Sequence, residues 1–332
     1  MPAKPLGAGL VVAIVDPTSL LGRDVRAVLS ERAFPASKVL LFHTGTADGL
    51  LTEDEDEPAF SAPLTPDALE TSKIAFLCGE AAGTASFLET RIDDGCLAVD
   101  LSGLRAGGAF ARPSDPSSLS PLPEGSLFLT YDPVAAVLAE AALAVGRIAP
   151  VAAATAAVDR PASELGKGAL DELFHQAISL AQFRPVPKEI FETQAAFNAF
   201  YPADTDAWDA RVAEDFRALA GGIPLSLLSV RAGVFHGHLL RLELRTEGPA
   251  PPAAAVRTVL REAGGFDEAD PDSLSGPVES AGRDETLVLS VASSGSSVRL
   301  GLAADHLRRA GAIMAVRLAE QAVAERGLLP DA

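Results

Sequence analysis

Positive charge, sulfur and aromatic rings are all scarce in this chain. Only 27 Lys and Arg residues stand against 45 Asp and Glu over 332 positions, giving a formal net charge of −18 and a pI near 4.6. Without a basic stripe to neutralise phosphates, neither a nucleic-acid surface nor binding to an anionic membrane is expected. Cys78 and Cys96 are the only cysteines. They are too few for a disulfide framework, so a reducing compartment, the cytoplasm, is expected. Long apolar runs are missing too. The run from Leu10 to Val15 ends at Asp16 with no small-x-small cleavage pattern after it. Glu140, Arg147 and Pro150 interrupt the Ala/Val-rich stretch 133–158 before it reaches spanning length. Neither export nor a membrane span is expected.

What the chain does have is an ordinary apolar content of 48% and a length that suits two domains. Gly9-Leu-Val-Val-Ala-Ile-Val15 followed by Asp16-Pro-Thr-Ser-Leu-Leu-Gly22 reads as a strand, a turn and a helix start, the opening of a nucleotide-binding domain. Such a turn aims the N–H groups of a helix N-terminus at a phosphate, which makes Thr18, Ser19, Leu20, Leu21 and Gly22 the candidate cofactor contacts. Of the glycine fingerprint G-x-x-G-x-x-G, only Gly22 is present, with Asp16 and Ser19 where the other two would stand. A carboxylate there repels a pyrophosphate, so a dinucleotide site is expected to be weakened or lost.

A helix over Leu21–Arg32 and a strand over Lys38–Phe42 complete a β-α-β unit. Strands over Lys73–Leu77, Cys96–Asp100 and Leu127–Thr130, with a helix over Thr84–Asp93, extend it into a doubly wound parallel sheet. The acidic run Thr52–Glu57 reads as a solvated loop. After Pro150 the texture changes. Leu170, Leu173, Phe174, Ala177 and Ile178 place an apolar stripe on a helix that runs to Gln182 from Ser163, its N-cap. Leu225–Arg231, Val234–Arg245, Thr286–Ala292 and Val298–Ala303 read as strands on linkers too short for crossovers. That implies antiparallel pairing and an α+β second domain. The last helix, Asp305–Arg326, has an Asp cap and a Gly327 stop and is expected to return to cover the first sheet.

Seven short pieces occur in an order that resembles a known family: Leu20-Leu-Gly-Arg23, Arg32-Ala-Phe-Pro35, Val99-Asp-Leu-Ser-Gly103, Gln194-Ala-Ala-Phe-Asn198, Arg231-Ala-Gly-Val-Phe-His-Gly-His238, Gly282-Arg-Asp-Glu285 and Ala304-Asp-His-Leu-Arg308. The chain resembles, over nearly its whole length, the aspartate-semialdehyde dehydrogenases and their USG-like homologues. The resemblance implies a Rossmann-like NADP domain over residues 1–132 and 304–332, a catalytic and dimerisation domain over 133–303, and a homodimer. The family's reaction captures an acyl phosphate or aldehyde on a cysteine thiolate, passes a hydride between that adduct and NADP, and moves protons with a histidine. The thiol belongs just before the helix after strand Leu127–Thr130, where this chain has Tyr131-Asp-Pro-Val134. Asp132 therefore stands at the cysteine position, or Pro133 on a one-residue shift, and a glutamine of the family aligns with Ala156.

The substrate side matches better. Arg231 and His238 carry the family's spacing, which implies a guanidinium fork for a carboxylate and an imidazole acid/base in one pocket. Glu214 and Arg217 match a Glu-x-x-Lys pair, and Arg105 lies close to a phosphate-binding arginine. His306 takes the place of a cofactor-contacting asparagine, one of whose hydrogen bonds an imidazole can donate. Cys78 and Cys96 read as core packing rather than relocated nucleophiles. His236 and His238, two apart on a strand, face one way, but no third ligand accompanies them and no metal site is expected. His43 stands where a ribose partner belongs, without an acidic residue, and His175 reads as structural.

Three functions are compatible with these residues. The first is a catalytically inactive homologue that keeps the dimeric fold and a pocket for a small carboxylate or phosphate. The second is an active NAD(P)-dependent oxidoreductase acting on an aldehyde or acyl phosphate of amino-acid biosynthesis. The third is a structural or regulatory partner of an active paralogue.

Overall fold

A computed structural model of the chain describes residues 9–45, 51–53, 58–65, 68–90, 95–112, 121–270, 272 and 274–328. It begins with β1 (Leu10–Val15), whose side chains alternate between two apolar clusters: Leu10, Val12 and Ile14 enter one, Ala13 and Val15 the other. A strand buried on both faces must be apolar throughout, which is why this run lacks a polar period. Helix α1 (Leu20–Glu31) follows, with Ser19 as its N-cap: Gly22 N donates to Ser19 Oγ at 2.9 Å. The chain continues through β2 (Ala36–His43), β3 (Leu51–Glu53), β4 (Pro58–Phe60), β5 (Ala62–Pro63), β6 (Ile74–Leu77), α2 (Ala81–Thr90), β7 (Leu97–Asp100), β8 (Ala109–Phe110) and β9 (Leu127–Leu129). The sheet order is β5-β2-β1-β6-β7-β9-β8 and all six pairings are parallel, so this is a doubly wound sheet. Of the acidic run, residues 54–57 lie outside the described residues, as do residues 91–93 of the helix expected over Thr84–Asp93; that helix starts three residues early, at Ala81.

The chain divides into two compact units, Met1–Tyr131 with Gly311–Ala332, and Asp132–Ala310. In the second, α3 (Pro133–Gly146) starts on an Asp132 cap with Pro133 at its first turn. Then come β10 (Val151–Arg160), a short 3-10 turn (Ala162–Leu165), α4 (Lys167–Ala181), β11 (Ala199–Phe200), α5 (Thr205–Leu219), β12 (Leu225–Ala232), β13 (His238–Thr246), α6 (Ala253–Ala263), β14 (Phe266–Glu268), α7 (Pro277–Ser280), β15 (Thr286–Ser294) and β16 (Ser297–Ala304). A wide turn at Arg308–Ala312 leads into α8 (Ile313–Arg326), ended by Gly327 in the left-handed region. Ala315, Val316, Leu318, Ala319, Ala322 and Val323 of α8 join the first unit's cluster beneath β1.

Three expectations for the second unit change. The helix does not run unbroken from Ser163, because Gly166 at φ 80° separates the 3-10 turn from α4 and Ser163 caps nothing. β12 and β13 do not pair with each other. β10 lies between them, parallel to β12 and antiparallel to β13, so the sheet order is β11-β12-β10-β13-β16-β15-β14 and Ala156 is in mid-strand. His236 precedes β13 rather than sharing a strand face with His238. The pairings β10–β13, β11–β12, β13–β16 and β15–β16 are antiparallel, which keeps the sheet mostly so.

Helices α3, α5 and α6 pack on one face of this sheet. The other face carries Thr155, Leu228, Arg241, Glu243, Arg245 and Arg299, all exposed. On α4, Leu173 is in an internal cluster with Ala169, Phe191 and Ala195, whereas Phe174 is 54% exposed.

Two helical glycines provide a test of this packing. A Cβ at Gly22 would run into Asp16 O and Pro17 Cα, whereas one at Gly146 meets nothing within 4 Å. Gly22→Ala is expected to cost about 1–3 kcal/mol by overpacking, and Gly146→Ala to add about 0.5–1 kcal/mol. Urea unfolding followed by circular dichroism checks both signs.

Candidate functional site

Arg160 ends β10, and Arg231 stands opposite it in register on β12. The two residues are 3% and 1% exposed. Two buried cations side by side require an anion, and the chain supplies one four residues past Arg160. Pro161 and the 3-10 turn bring Glu164 back so that its Oε2 accepts from Arg160 Nε at 2.8 Å and from Arg231 Nη1 at 3.1 Å, while its Oε1 lies 2.7 Å from His238 Nε2. Arg160 also forks to Asp204 at 3.0 and 3.3 Å and stacks over Trp208 at 4.4 Å, and Arg231 donates to Pro161 O at 2.9 Å. Burial alone would push the Glu164 carboxyl up. The His238 hydrogen bond and charge, with the charges of Arg160 and Arg231, override it and hold the group far below the usual carboxylate range.

His306 lies edge-on to His238, with ring centroids 4.9 Å apart. His238 Nδ1, both ring nitrogens of His306 and Ser163 Oγ are buried and have no hydrogen-bond partner among the described residues. Burial lowers the His306 pKa to about 4; His238 and His236 push the same way, against Glu164 and Asp305. Asp305 is itself engaged: its Oδ1 accepts from Leu307 N and Arg308 N and its Oδ2 from Gly282 N.

Asp132 closes the N-terminus of α3. Its Oδ1 accepts from Val134 N at 2.9 Å, its own N–H donates to Asp215 Oδ2 at 2.7 Å, and Arg211 Nη2 lies 3.6 Å from its Oδ2. Burial and then the Glu164 charge raise its carboxyl pKa, against Arg211, the Val134 N–H and His238.

In the first unit the turn after β1 is tied inward. Asp16, at φ 56°, accepts from Thr44 N on Oδ1 and from Thr44 Oγ1 on Oδ2, both at 2.8 Å. A Cβ on Gly79 would run into that carboxylate. Ser19 Oγ, besides capping α1 at Gly22, donates to Cys78 O at 2.9 Å. Thr18, Ser19, Leu20, Leu21 and Gly22 thus form the expected turn, but a carboxylate lies against the backbone at the C-terminal ends of β1, β2 and β6. This arrangement does not fit the pyrophosphate of a dinucleotide.

The structure brings Arg231, His238 and His306 together. Glu214 and Arg217 are exposed on α5 and form no part of the buried cluster; the acid of α5 that turns inward is Asp215. Arg105, in the first unit, sits at φ 58° and stacks over Phe110 at 4.6 Å. Cys78 and Cys96 are buried; burial, reinforced by Asp16 and Asp100, pushes the Cys78 thiol far up, and burial pushes Cys96 to about 12 against the pull of Lys73. His43 is buried with Nδ1 against Gly45 O, and His175 is exposed beside Phe174. Among the described residues, no group of three or more His, Cys, Asp or Glu side chains is placed to hold a metal. Nor is any helix long and apolar enough to cross a membrane. Sequence reasoning missed Arg160, Glu164 and Asp204. The available signal was Asp159-Arg160-Pro161, charges that end an apolar run.

No family model matches the chain. It is similar to the USG-1 protein homolog of Azotobacter vinelandii, at 27% identity over 329 aligned positions covering 93% of this chain and 96% of that protein. It is similar also to the aspartate-semialdehyde dehydrogenase of Rickettsia bellii, at 23% identity over 342 positions covering 94% and 97%. The structure of a probable aspartate-semialdehyde dehydrogenase from Pseudomonas aeruginosa superposes with a TM-score of 0.83 at 24% identity, covering 95% of this chain and 98% of that one. The chain thus shares the fold of these proteins, and the sequence likeness runs along almost its whole length.

The buried imidazole sets a pH dependence. Unfolded His306 takes a proton below about pH 6.5, whereas the folded residue resists protonation down to about pH 4. The unfolded state therefore binds more protons in that window, and the stability present above pH 6.5 is lost as pH falls towards 4. Between pH 7 and 5 the loss should be about 2 kcal/mol. Trp208, the sole tryptophan, reports the second unit in urea unfolding, and His306→Asn should flatten the difference by that amount.

Proposed function

We propose that the chain is a catalytically silent counterpart of aspartate-semialdehyde dehydrogenase, an oxidoreductase fold kept as a homodimer with its NADP site weakened or lost. The observation that carries this reading is Asp132. At the position where the resemblance puts the thiol stands a carboxylate committed to the first turn of α3, and a carboxylate cannot form a thiohemiacetal. Neither cysteine offers a substitute, since a thiol buried in apolar surroundings with a raised pKa is a poor nucleophile. The self-tied turn at Asp16 argues against a tightly held cofactor.

Support for the dimer comes from the second unit's surface. Phe183 and Phe197 are 99% and 81% exposed and both adopt positive φ, a strained backbone for an aromatic residue. The loop between them is tied to α4: Glu172 accepts from Glu189 N and Ile190 N, and Gln176 bonds Pro187 O, Thr193 O, Ala195 N and Ala196 N. Exposed Phe183 and Phe197, with exposed Phe174 and Ile178 on α4, suit burial against a twofold copy.

Phosphate-dependent NADPH formation from aspartate semialdehyde should be undetectable, because loss of the covalent step removes several orders of magnitude in rate. A measurable rate would overturn the reading. Asp132→Cys alone should not restore full activity, since Ala156 and the Asp16 turn remain.

Light scattering should give twice the 34.2 kDa chain mass at micromolar concentration. Phe174→Asp and Phe183→Asp should yield folded monomer, whereas Leu173→Asp, which puts a charge into internal core, should unfold or aggregate the second unit. A wild-type protein that scatters as a monomer would sink the dimer.

A further inference from the structure

We infer that Glu164 is an internal carboxylate ligand: Arg160, Arg231 and His238 form a binding site for a short monocarboxylate, and the chain fills that site with its own side chain. The three donors come from three adjacent strands, β10, β12 and β13, and converge on both oxygens of one carboxylate at 2.7 to 3.1 Å. One nitrogen from each guanidinium on Oε2 and an imidazole on Oε1 give the carboxylate charge-assisted hydrogen bonds at both oxygens, the strong kind by which proteins hold carboxylates. Surface ion pairs look different, with long side chains meeting in solvent. Here both arginines and His238 are at most 3% exposed.

The way Glu164 reaches the site separates it from the donors. It belongs neither to the sheet that carries them nor to α4, but to the four-residue 3-10 turn between Pro161 and Gly166. The turn delivers an acid to a site built by other elements. The polar lining also exceeds what one glutamate uses. Ser163 Oγ, His238 Nδ1 and both nitrogens of His306 are buried and, among the described residues, unpartnered in the cluster and in the turn that delivers Glu164. An ion pair serving stability alone gains nothing from such atoms, each of which costs free energy when left unsatisfied. Asp204 does not share the role: its side chain is 53% exposed and forks to Arg160 from the solvent side.

While Glu164 stays in place, no carboxylate from solution enters. Truncation to alanine leaves Cβ and removes CH2 and CO2⁻, the size and charge of acetate. In full-length Glu164→Ala at neutral pH, about 100 mM sodium acetate should raise the thermal midpoint read by Trp208 fluorescence by about 3 °C over equal sodium chloride, saturating in the millimolar range. Acetamide, equal in shape and uncharged, should do nothing, and wild type should not respond to acetate. Adding Arg231→Met to Glu164→Ala should abolish the gain. If Glu164→Ala does not fold in chloride, recovery of folded protein from urea in acetate against acetamide is the same measurement. No acetate-specific gain in either form, or an equal gain in wild type, overturns the inference. The outcome is independent of the nucleophile. A failed rescue leaves the reading of Asp132 standing, and semialdehyde turnover would overturn that reading without touching this one.

Discussion

Two guanidiniums taken out of water need an anion beside them, and in the second unit Glu164 meets that need together with Asp204. Each buried ion carries a desolvation penalty of several kcal/mol, recovered only when an opposite charge is well placed and the remaining donors are hydrogen-bonded, as Arg231 is to Pro161 O. The local backbone follows from this. β10 stops at Arg160, Pro161 turns the chain, and Gly166 takes a φ of 80°, so that the glutamate between them points back at β12 and β13. The break between the 3-10 turn and α4 thus accompanies the ion cluster. A helix continued smoothly back to Ser163 would carry Glu164 off the line of Arg231 and His238.

The first unit obeys the same rule on a smaller scale. The N-terminus of a helix after a parallel strand is a place that favours negative charge. There the chain places Asp16 in the left-handed region and binds its carboxylate to Thr44 twice, while Ser19 joins Gly22 to Cys78 O. In the second unit a position suited to an external anion is met by a carboxylate of the chain itself, and in the first the α1 N-terminus is met by the Ser19 hydroxyl. Self-ligation of this kind stabilises the fold and reduces what the fold can bind, because an external ligand must first displace a partner at high effective concentration.

Much of the first sheet was legible because its signal is simple. Strands covered on both faces are apolar without period, and β1, β6, β7 and β9 stand out as such runs, while β2 is legible from the apolar stretch Val39–Phe42 although it is partly exposed. β10 was not, because Val151-Ala-Ala-Ala-Thr-Ala-Ala-Val has helix-forming composition and becomes a strand only through its neighbours. Missing it led to the pairing of β12 with β13, since a short linker between two strands ordinarily means a hairpin. Ser163 read as a helix cap for a similar reason: local hydrogen-bonding preference pointed one way and the buried arginines another. At the site, Arg231 and His238 came from a matched spacing. Their common partner did not, because an acid three residues past an isolated proline looks like any turn until the fold brings it against two strands.

Under the proposed reading, Asp132 stands at a helix start that would serve a thiolate equally well. A thiolate nucleophile before a helix is favoured by the N–H groups and dipole of the first turn, which lower its pKa. A carboxylate at the same point draws on the same N–H groups: Val134 N donates to Asp132 Oδ1, and an Asp cap adds about 0.5–2 kcal/mol over an uncapped end. The exchange keeps the electrostatics of the helix start and discards the soft, strongly nucleophilic atom. Burial and the nearby Glu164 charge oppose a second negative charge there, which raises the Asp132 pKa. Arg211 and the Val134 N–H counter that opposition only in part. Asp132 is thus tied to its own second-unit neighbours, through Asp215 at its N–H, Val134 at its Oδ1 and Arg211 near its Oδ2.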